Sequence, residues 1–101
     1  MGGKLTLNID KAIYVEGEYV KVKADYEASN PKQTLHIVVF DPSEREVFST
    51  DQYLNSQKGS YSMVLKFDTR QWRNPGRYKI TSWDQDGTRK EIFFQFKAKT
   101  S

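Results

Sequence analysis

The sequence contains no cysteine, one histidine and three prolines among its 101 residues. The absence of cysteine excludes a disulfide-stapled scaffold, a Cys-ligated zinc site and a thiol nucleophile. His36 is the single histidine, which argues against a His-rich metal site and against a Ser–His enzyme. No cofactor is therefore expected, and no motif gives positive support for catalysis.

Long apolar runs are also missing. No segment approaches the roughly 18 consecutive apolar residues of a transmembrane helix, and the N-terminal MGGKLT lacks the apolar region of a signal peptide, so no membrane insertion is expected. The length suits one compact domain, because two half-size domains would each be too small to bury a stable core. Residues 1–101 are predicted to form a single domain with flexible ends at 1–3 and 99–101.

What the sequence does contain is a series of short segments rich in β-branched and aromatic residues. Apolar and polar residues alternate at Val20, Val22, Ala24 and Tyr26, the pattern of a half-buried strand. Similar segments recur about every 8–12 residues between turn signals; they are Leu5–Ile9, Leu35–Phe40, Glu46–Ser49, Tyr61–Phe67, Tyr78–Ser82 and Ile92–Ala98. No stretch suits a helix of three turns, although Asp68–Asn74 has room for one turn. The pattern predicts an all-β fold, a β-sandwich of seven to eight antiparallel strands in two sheets, with a barrel as the alternative.

Two segments carry a resemblance to a known class of module. Residues Asp10–Val22 (DKAIYVEGEYVKV) resemble the DKxxYxxGExVxV start of the second strand in macroglobulin-like and other immunoglobulin-like modules of bacterial and archaeal surface proteins. Residues Trp72–Ile80 (WRNPGRYKI) are similar to the W…PGxYxV step that leads into strand F of such modules. The resemblance implies an immunoglobulin-like sandwich, with Gly17 in a tight turn and Tyr78 as a tyrosine corner whose hydroxyl bonds upstream backbone.

The same resemblance implies a role and a location. Modules of this kind serve as spacers, stalk units or adhesion and assembly domains of larger surface proteins, so an extracellular or cell-surface location is expected. Tyr14 is expected to pack over the edge of the sandwich. Ile80 occupies the position of the second disulfide cysteine of antibody domains, which disfavours an antibody-type domain.

The basic excess is concentrated in one segment. Residues 66–79 carry five cations against Asp68, a balance of +4, whereas the whole chain carries +3 and the remainder therefore −1. The five cations are Lys66, Arg70, Arg73, Arg77 and Lys79. If this segment crosses between the sheets, they form a basic rim at one end of the sandwich. Such a rim suits an acidic glycan or an acidic partner, and equally a solvated loop; nucleic acid is not expected, since no recognised nucleic-acid motif accompanies it.

A second candidate site lies on the side of the strands that faces away from the core. Alternation along residues 35–40, 78–83 and 92–96 directs one set of large apolar side chains away from the core. In an immunoglobulin-like order these strands are neighbours in one sheet, so the set forms a candidate interface: Val38, Phe40, Trp83 and Phe93, with His36, Thr81 and Gln95 around them. Aromatic side chains of roughly 150–250 Å² each make this patch large enough to indicate a binding surface.

Three explanations are open for this patch. It packs on a neighbouring domain, a protein partner or a second copy in a homodimer; it is covered by the chain itself, through residues 47–54 or a β-bulge; or it stacks sugars on Trp83, Phe40 and Tyr53. We expect the first, which makes the protein a non-catalytic structural or protein-interaction module. A carbohydrate-binding module that uses the exposed aromatics and the basic rim is the alternative.

Two acidic motifs are weaker candidates for cation binding. Asp84–Gly87 resembles the start of a calcium loop but lacks the downstream ligands, so a hairpin turn is expected there. Glu16 and Glu18 flank Gly17 and are expected to be solvated in a turn. Neither motif predicts a metal site.

Overall fold

The computed structural model describes residues 4–27, 33–54, 58–66, 74–84 and 87–98. These residues form eight β-strands and no helix, hence none that is long and apolar enough to cross a membrane. The strands are β1 (Lys4–Ile9), β2 (Ile13–Val15), β3 (Tyr19–Glu27), β4 (Gln33–Phe40), β5 (Glu46–Leu54), β6 (Lys58–Lys66), β7 (Gly76–Trp83) and β8 (Arg89–Lys97). The prediction of an all-β fold is confirmed.

The strands form two separate sheets. One has three strands in the order β1-β3-β6, and the other has five strands in the order β2-β8-β7-β4-β5. All neighbouring strands are antiparallel except β2 and β8, which run parallel. Two sheets that share one core have the arrangement of a β-sandwich, and each described sheet ends in open edges, unlike a barrel. The expectation of antiparallel strands alone is wrong for β2.

The core lies between the sheets and is built by period-two alternation. In β3, Val20, Val22 and Ala24 are buried while the lysines between them are exposed. In β7, Tyr78 and Ile80 are fully buried. The other core residues are Leu5, Leu7, Tyr14, Leu35, Ile37, Val39, Leu65, Phe94 and Phe96. Burying a large apolar side chain contributes about 1.5–3 kcal/mol, so this set dominates the stability of the fold.

The clearest differences from the predicted strands concern β2, β5 and the end of β8. β2 has three residues, of which only Tyr14 is buried, and it pairs with residues 95–97 at the other end of the chain. Such a short segment shows no alternation that a sequence pattern can reveal. β5 continues beyond Ser49 to Leu54 because its whole length pairs with β4. Ala98, predicted on the inner face of the last strand, follows the end of β8 and is exposed.

Several predicted features lie outside the described residues. They are the helical turn at Asp68–Asn74 (except Asn74), the flexible ends at 1–3 and 99–101, Asp86 of the hairpin turn, and Arg70 and Arg73 of the basic rim. These expectations stay predictions.

A hydrogen-bonded clip ties β2 to its flanking turns. The hydroxyl of the buried Tyr14 donates to the Asp10 carboxylate and accepts from the backbone N–H of Lys11 at 3.0 Å. The carboxylate of Glu18 accepts from the backbone N–H of Val15 at 2.7 Å and pairs with the Lys11 ammonium at 2.5 Å. The DKxxYxxGE motif therefore works here as a structural unit in which each polar side chain has a partner.

The same clip explains the turn and the titration of its residues. Gly17 has φ of +96°, a conformation that side chains disfavour, so the tight turn predicted there is confirmed. Burial and the bond to Asp10 raise the pKa of Tyr14 to about 12, while the Tyr14 hydroxyl lowers the pKa of Asp10. The Lys11 partner lowers the pKa of Glu18. Glu18 is thus held in the clip, in contrast to the expectation of a solvated side chain.

Candidate binding face

The outer-face patch (Val38, Phe40, Trp83 and Phe93) lies on the side of the five-stranded sheet that faces away from the core. Cross-strand register brings its members together, because Lys79 of β7 is opposite both Phe40 of β4 and Phe93 of β8. Val38 is 8% exposed, Phe40 and Trp83 are half-buried, and Phe93 is 47% exposed. The four predicted interface residues therefore share one face, and Phe93 is the one most open to solvent.

Three basic side chains lie over rings of this face, and we refer to them as the cation–ring pairs. Measured to the ring centroid, Arg77 Cζ lies 4.5 Å from Phe93, Lys79 Nζ 4.9 Å from Phe40, and Arg89 Cζ 5.6 Å from Trp83. A cation within about 6 Å of a ring centroid is attracted by the ring quadrupole, with about 0.5–1 kcal/mol gained at exposed sites. The rings are consequently lined by cations and are not a bare apolar surface.

Polar side chains close the centre of the face. Thr81 is fully buried, and its hydroxyl donates to the Glu91 carboxylate at 3.4 Å. Glu91 also pairs with Lys79 at 3.5 Å. Val38 is the cross-strand neighbour of Thr81, which accounts for its burial under the same layer. The centre of the patch is thus covered by long side chains of its own sheet.

From the sequence, the chain itself could cover the patch in two ways, namely by residues 47–54 or by a β-bulge. Residues 47–54 belong to β5, which extends the sheet beside β4 rather than lying over the patch. A bulge does interrupt the pairing of β4 with β5 between Val39 and Phe40. It does not turn Phe40 into the core, since Lys79 lies over the Phe40 ring on the outer face.

One end of the face contains a stacked pair of rings, His36 and Trp83. The imidazole of His36 stacks on Trp83 at 5.2 Å between centroids, and its Nδ1 lies 2.6 Å from the Asp51 carboxylate. Ser82 points to the other side of the sheet, where it is buried and its hydroxyl donates to the backbone carbonyl of His36 at 2.9 Å. His36 and Ser82 therefore do not form a nucleophile–base pair.

The predicted basic rim is not a single cluster among the described residues. Arg77 and Lys79 lie within β7, on the outer face beside Phe93 and Phe40, and not at one end of the sandwich. Lys66 is the last residue of β6 in the other sheet. The physical reason is alternation: β7 buries Tyr78 and Ile80, so residues 77 and 79 must point outward. The rim and the aromatic patch, predicted as separate sites, share these two cations.

A tightly bonded hairpin loop borders the patch at its other end. Asp41 is 5% exposed, and its carboxylate accepts from the backbone N–H groups of Ser43 at 2.9 Å and Arg45 at 2.8 Å. The side-chain amide of Asn74 donates to the other carboxylate oxygen at 3.3 Å. Burial opposes ionisation of Asp41, but these hydrogen bonds prevail and its pKa is lowered. The loop is therefore held in place on the N-terminal end of β7.

The loop and the patch together enclose a shallow cavity of about 360 Å³. Its walls are Phe40, Asp41, Pro42, Glu44, Arg77, Lys79, Glu91 and Phe93. Pro42 packs so closely on Gly76 that a Cβ there would lie 2.7 Å from the proline Cγ. The cavity combines two rings, two cations and three carboxylates, so its charge is of mixed sign and not uniformly positive.

The acidic motif near the β7–β8 turn is structural. Asp84 is buried, and its carboxylate accepts from the backbone N–H of Thr88 at 3.0 Å. Gly87 has φ of +90°, as the predicted hairpin turn requires. Among the described ranges, no group of three or more His, Cys, Asp or Glu residues is arranged to hold a metal ion.

Two residues of this face were missing from the sequence analysis. Arg89 lies over Trp83, and Glu91 links Lys79 to Thr81. The hairpin signal at Gly87 could have placed Arg89 opposite Trp83 by counting back from the turn. Glu91 gave no comparable signal, because its role depends on the rotamers of its neighbours.

Comparison with known proteins supports the fold level alone. No protein-family model matches the sequence, and no curated protein matches it. Among solved structures, the chain is similar to the alkylpurine DNA glycosylase AlkC of Pseudomonas fluorescens, bound to DNA containing an abasic site analogue, with a TM-score of 0.62 and 15% sequence identity. The match covers 95% of this chain but 30% of that chain, so it relates the fold to one part of a larger protein.

Proposed function

We propose that the protein is a non-catalytic immunoglobulin-like module that binds a protein partner through the outer face of its five-stranded sheet. The observation that carries this proposal is the outer-face patch with its three cation–ring pairs. Aromatic residues and arginine are enriched in protein interfaces, and a few such side chains supply most of the binding energy.

The immunoglobulin-like assignment is supported by the strand arrangement. A three-stranded sheet faces a five-stranded sheet, and the first part of the chain contributes β1 to one sheet and β2 to the other. Tyr78 is fully buried near the start of its strand, where a tyrosine corner would lie. Burial and the nearby Asp41 carboxylate raise the pKa of Tyr78 to about 12.

The mixed charge of the face favours a protein partner over a uniformly acidic ligand such as a polyanion. Arg77, Lys79 and Arg89 are balanced in part by Glu91 and Asp51 on the same face. A surface of mixed sign surrounding aromatic anchors selects a partner by complementarity, and its charges steer association more than they add affinity. We propose a neighbouring domain of a larger extracellular or cell-surface protein, or a separate surface protein, as the partner. The similar glycosylase structure, in which the fold occupies 30% of the chain, is consistent with such a modular use.

The test compares two matched substitutions on opposite faces. Phe93→Ser and Val64→Ser each remove an exposed apolar side chain, 47% and 59% exposed, from the five-stranded and three-stranded sheet respectively. Immobilised protein is incubated with surface-protein extract from the cells that produce it. We expect a retained protein whose affinity falls about tenfold or more with Phe93→Ser and is unchanged with Val64→Ser. Equal retention by both variants would exclude the outer-face patch as the interface.

A second candidate, an acidic glycan, is favoured by the position of Arg77 and Lys79 directly beside two rings. It is tested with heparin and neutral dextran, following Trp83 fluorescence in a Trp72→Phe background. A response to heparin that Phe93→Ser removes would favour the glycan. Duplex DNA is the third probe: an equal response to heparin and DNA would indicate attraction of any polyanion, without glycan specificity.

A further inference from the structure

The four sheet edges differ in how they are protected from pairing with another chain. β2 has three residues and β1 has six, and short edge strands offer little to a partner. β5 carries Glu46 and Asp51, and its pairing with β4 is bulged. β6 has nine residues in unbroken register with β3, and no strand among the described residues pairs with its other side. Of these edges, β6 is the long, regular one.

The residues of β6 also do not block the pairing of this edge with another strand. From Gly59 to Leu65 the strand contains no charged residue and no proline, the two devices that most often block edge pairing. Val64 is 59% exposed on its outer side. Charge is confined to the ends of the strand, at Lys58 and Lys66. The middle of β6 therefore has the composition of a central strand and not that of an edge strand.

The inner side of β6 is incompletely covered. Tyr61 and Met63 point toward the core but are only partly buried. In the facing sheet, Val47 and Phe48 of the edge strand β5 are also partly buried. A sheet of three strands is narrower than one of five, so a further strand beside β6 would bury apolar surface on both.

We propose that β6 pairs with β6 of a second copy, antiparallel about a two-fold axis at Ser62. In that register Ser62 faces its own counterpart, and Tyr61 faces Met63 of the second copy on the inner side. Aromatic and sulfur side chains in such cross-strand positions stabilise each other. The arrangement is isologous and closes as a dimer, since each edge is satisfied by the identical edge. This contact lies on a different sheet from the outer-face patch.

The same register gives the dimer a diagnostic salt dependence. Lys58 lies opposite Lys66 of the second copy at both ends of the paired strands, and like charges directly opposite destabilise a sheet. Salt screens this repulsion, because the Debye length falls from about 10 Å at 0.1 M to about 3 Å at 1 M. The dimer therefore strengthens with salt, whereas binding through the cation–ring pairs would weaken if charge attraction drove it.

Sedimentation equilibrium tests this dimer, with loading from about 10 μM to about 1 mM and about 0.05 M or 0.5 M NaCl. We expect a concentration-dependent dimer that is favoured at the higher salt. Ser62→Lys sets two like charges face to face and should weaken it about tenfold or more. Thr6→Lys adds the same charge to the exposed side of β1, the other edge of this sheet, and should leave it unchanged. Lys58→Glu should strengthen it at low salt by replacing repulsion with attraction.

The outcomes separate this inference from the proposed partner binding. A monomer at every concentration and salt would overturn the dimer and leave the protein-partner proposal standing. A dimer lost with Phe93→Ser but kept with Ser62→Lys would place self-association on the outer-face patch, and would overturn the β6 contact. Circular dichroism of each variant verifies the fold. If Ser62→Lys does not fold, Lys58→Glu and wild-type salt dependence still decide the question.

Discussion

The two sheets of this protein treat their outer faces in different ways. On the three-stranded sheet, the outward side chains of the central strand β3 include Lys21 and Lys23, which are exposed, and Val64 on β6 is exposed as well. On the five-stranded sheet, Thr81 is fully buried and Val38 is 8% exposed, although both point away from the core. The same period-two alternation thus produces a solvated face in one sheet and a second, thinner buried layer in the other.

The difference lies in what the neighbouring side chains can cover. On the five-stranded sheet, three long basic side chains place their charged groups over rings of the outer face. On the three-stranded sheet, Lys21 and Lys23 lie opposite Val64 and Ser62 of β6 and remain exposed. Hydrophobic content alone therefore does not decide burial on an outer face, since Val64 is 59% exposed and Val38 is 8% exposed.

The largest expected contrast between the sheets concerns tyrosine ionisation. Both tyrosines with a pKa raised to about 12, Tyr14 and Tyr78, belong to the five-stranded sheet. Because their folded-state pKa lies above the ordinary 10.0, the neutral form stabilises the fold fully below pH 10 and this contribution is lost as pH rises toward 12. Each should contribute a loss of about 2 kcal/mol by pH 12. Urea unfolding at a series of pH values measures it.

Tyr78→Phe removes one titrating group and should make the alkaline loss of stability less steep. Tyr53→Phe removes the hydroxyl of a residue on β5 that is 59% exposed, and this variant should follow the wild type. If both variants lose stability as steeply as the wild type, ionisation of Tyr78 does not limit alkaline stability.

A pair of valines tests whether the outer face of the five-stranded sheet behaves as core. Val38→Ala should lower the free energy of unfolding by about 1–2.5 kcal/mol, because it removes buried methyl groups and leaves a cavity. Val64→Ala, on the exposed face of the other sheet, should change it by less than about 0.5 kcal/mol. Chemical denaturation of both variants measures the difference. Equal effects would mean that the buried layer around Thr81 contributes no stability.

The smallest expected effect is the stability difference between a lysine that has a cation–ring contact and a lysine that has only an ion pair. Lys79 and Lys23 each face a carboxylate, at 3.5 Å from Glu91 and 3.9 Å from Asp25, but only Lys79 has a ring contact with Phe40. Lys79→Gln should therefore cost about 0.5–1 kcal/mol more than Lys23→Gln. Thermal unfolding at low and high salt measures both. Equal losses of stability in the two variants would mean that the contact with the Phe40 ring adds nothing to the ion pair of Lys79.

The sequence predicted the parts of this fold that depend on local alternation. Burial alternates from Tyr19 to Ala24 in β3 and from Arg77 to Ile80 in β7, so their inner faces and the outward direction of Trp83 could be read directly. β2 could not, because its three residues are held by a parallel partner near the other end of the chain. Nonlocal pairing leaves no periodic trace in so short a segment.

The candidate site was predicted in its rings but not in its cations. Arg77 and Lys79 were grouped by their position in a basic segment, although alternation with Tyr78 already directed them to the face of Phe93 and Phe40. The burial of Val38 beside Thr81 could not be foreseen, since alternation places both residues on the outer face. Sequence patterns identify the face of a strand, and side-chain packing decides its exposure.

The parallel pairing of β2 with β8 has a mechanical consequence. When tension is applied through the residues before β1 and after β8, β2 and β8 are drawn in opposite directions along their common axis. The register pairs from Ile13–Gln95 to Val15–Lys97 are then loaded together in shear, instead of one after another as in a peeled hairpin. The bonds from Gln95 N–H to the carbonyl of Ala12 and from Glu16 N–H to the carbonyl of Lys97 extend this seam at both ends. The shortest strand among the described residues thus lies in a seam that is loaded in shear.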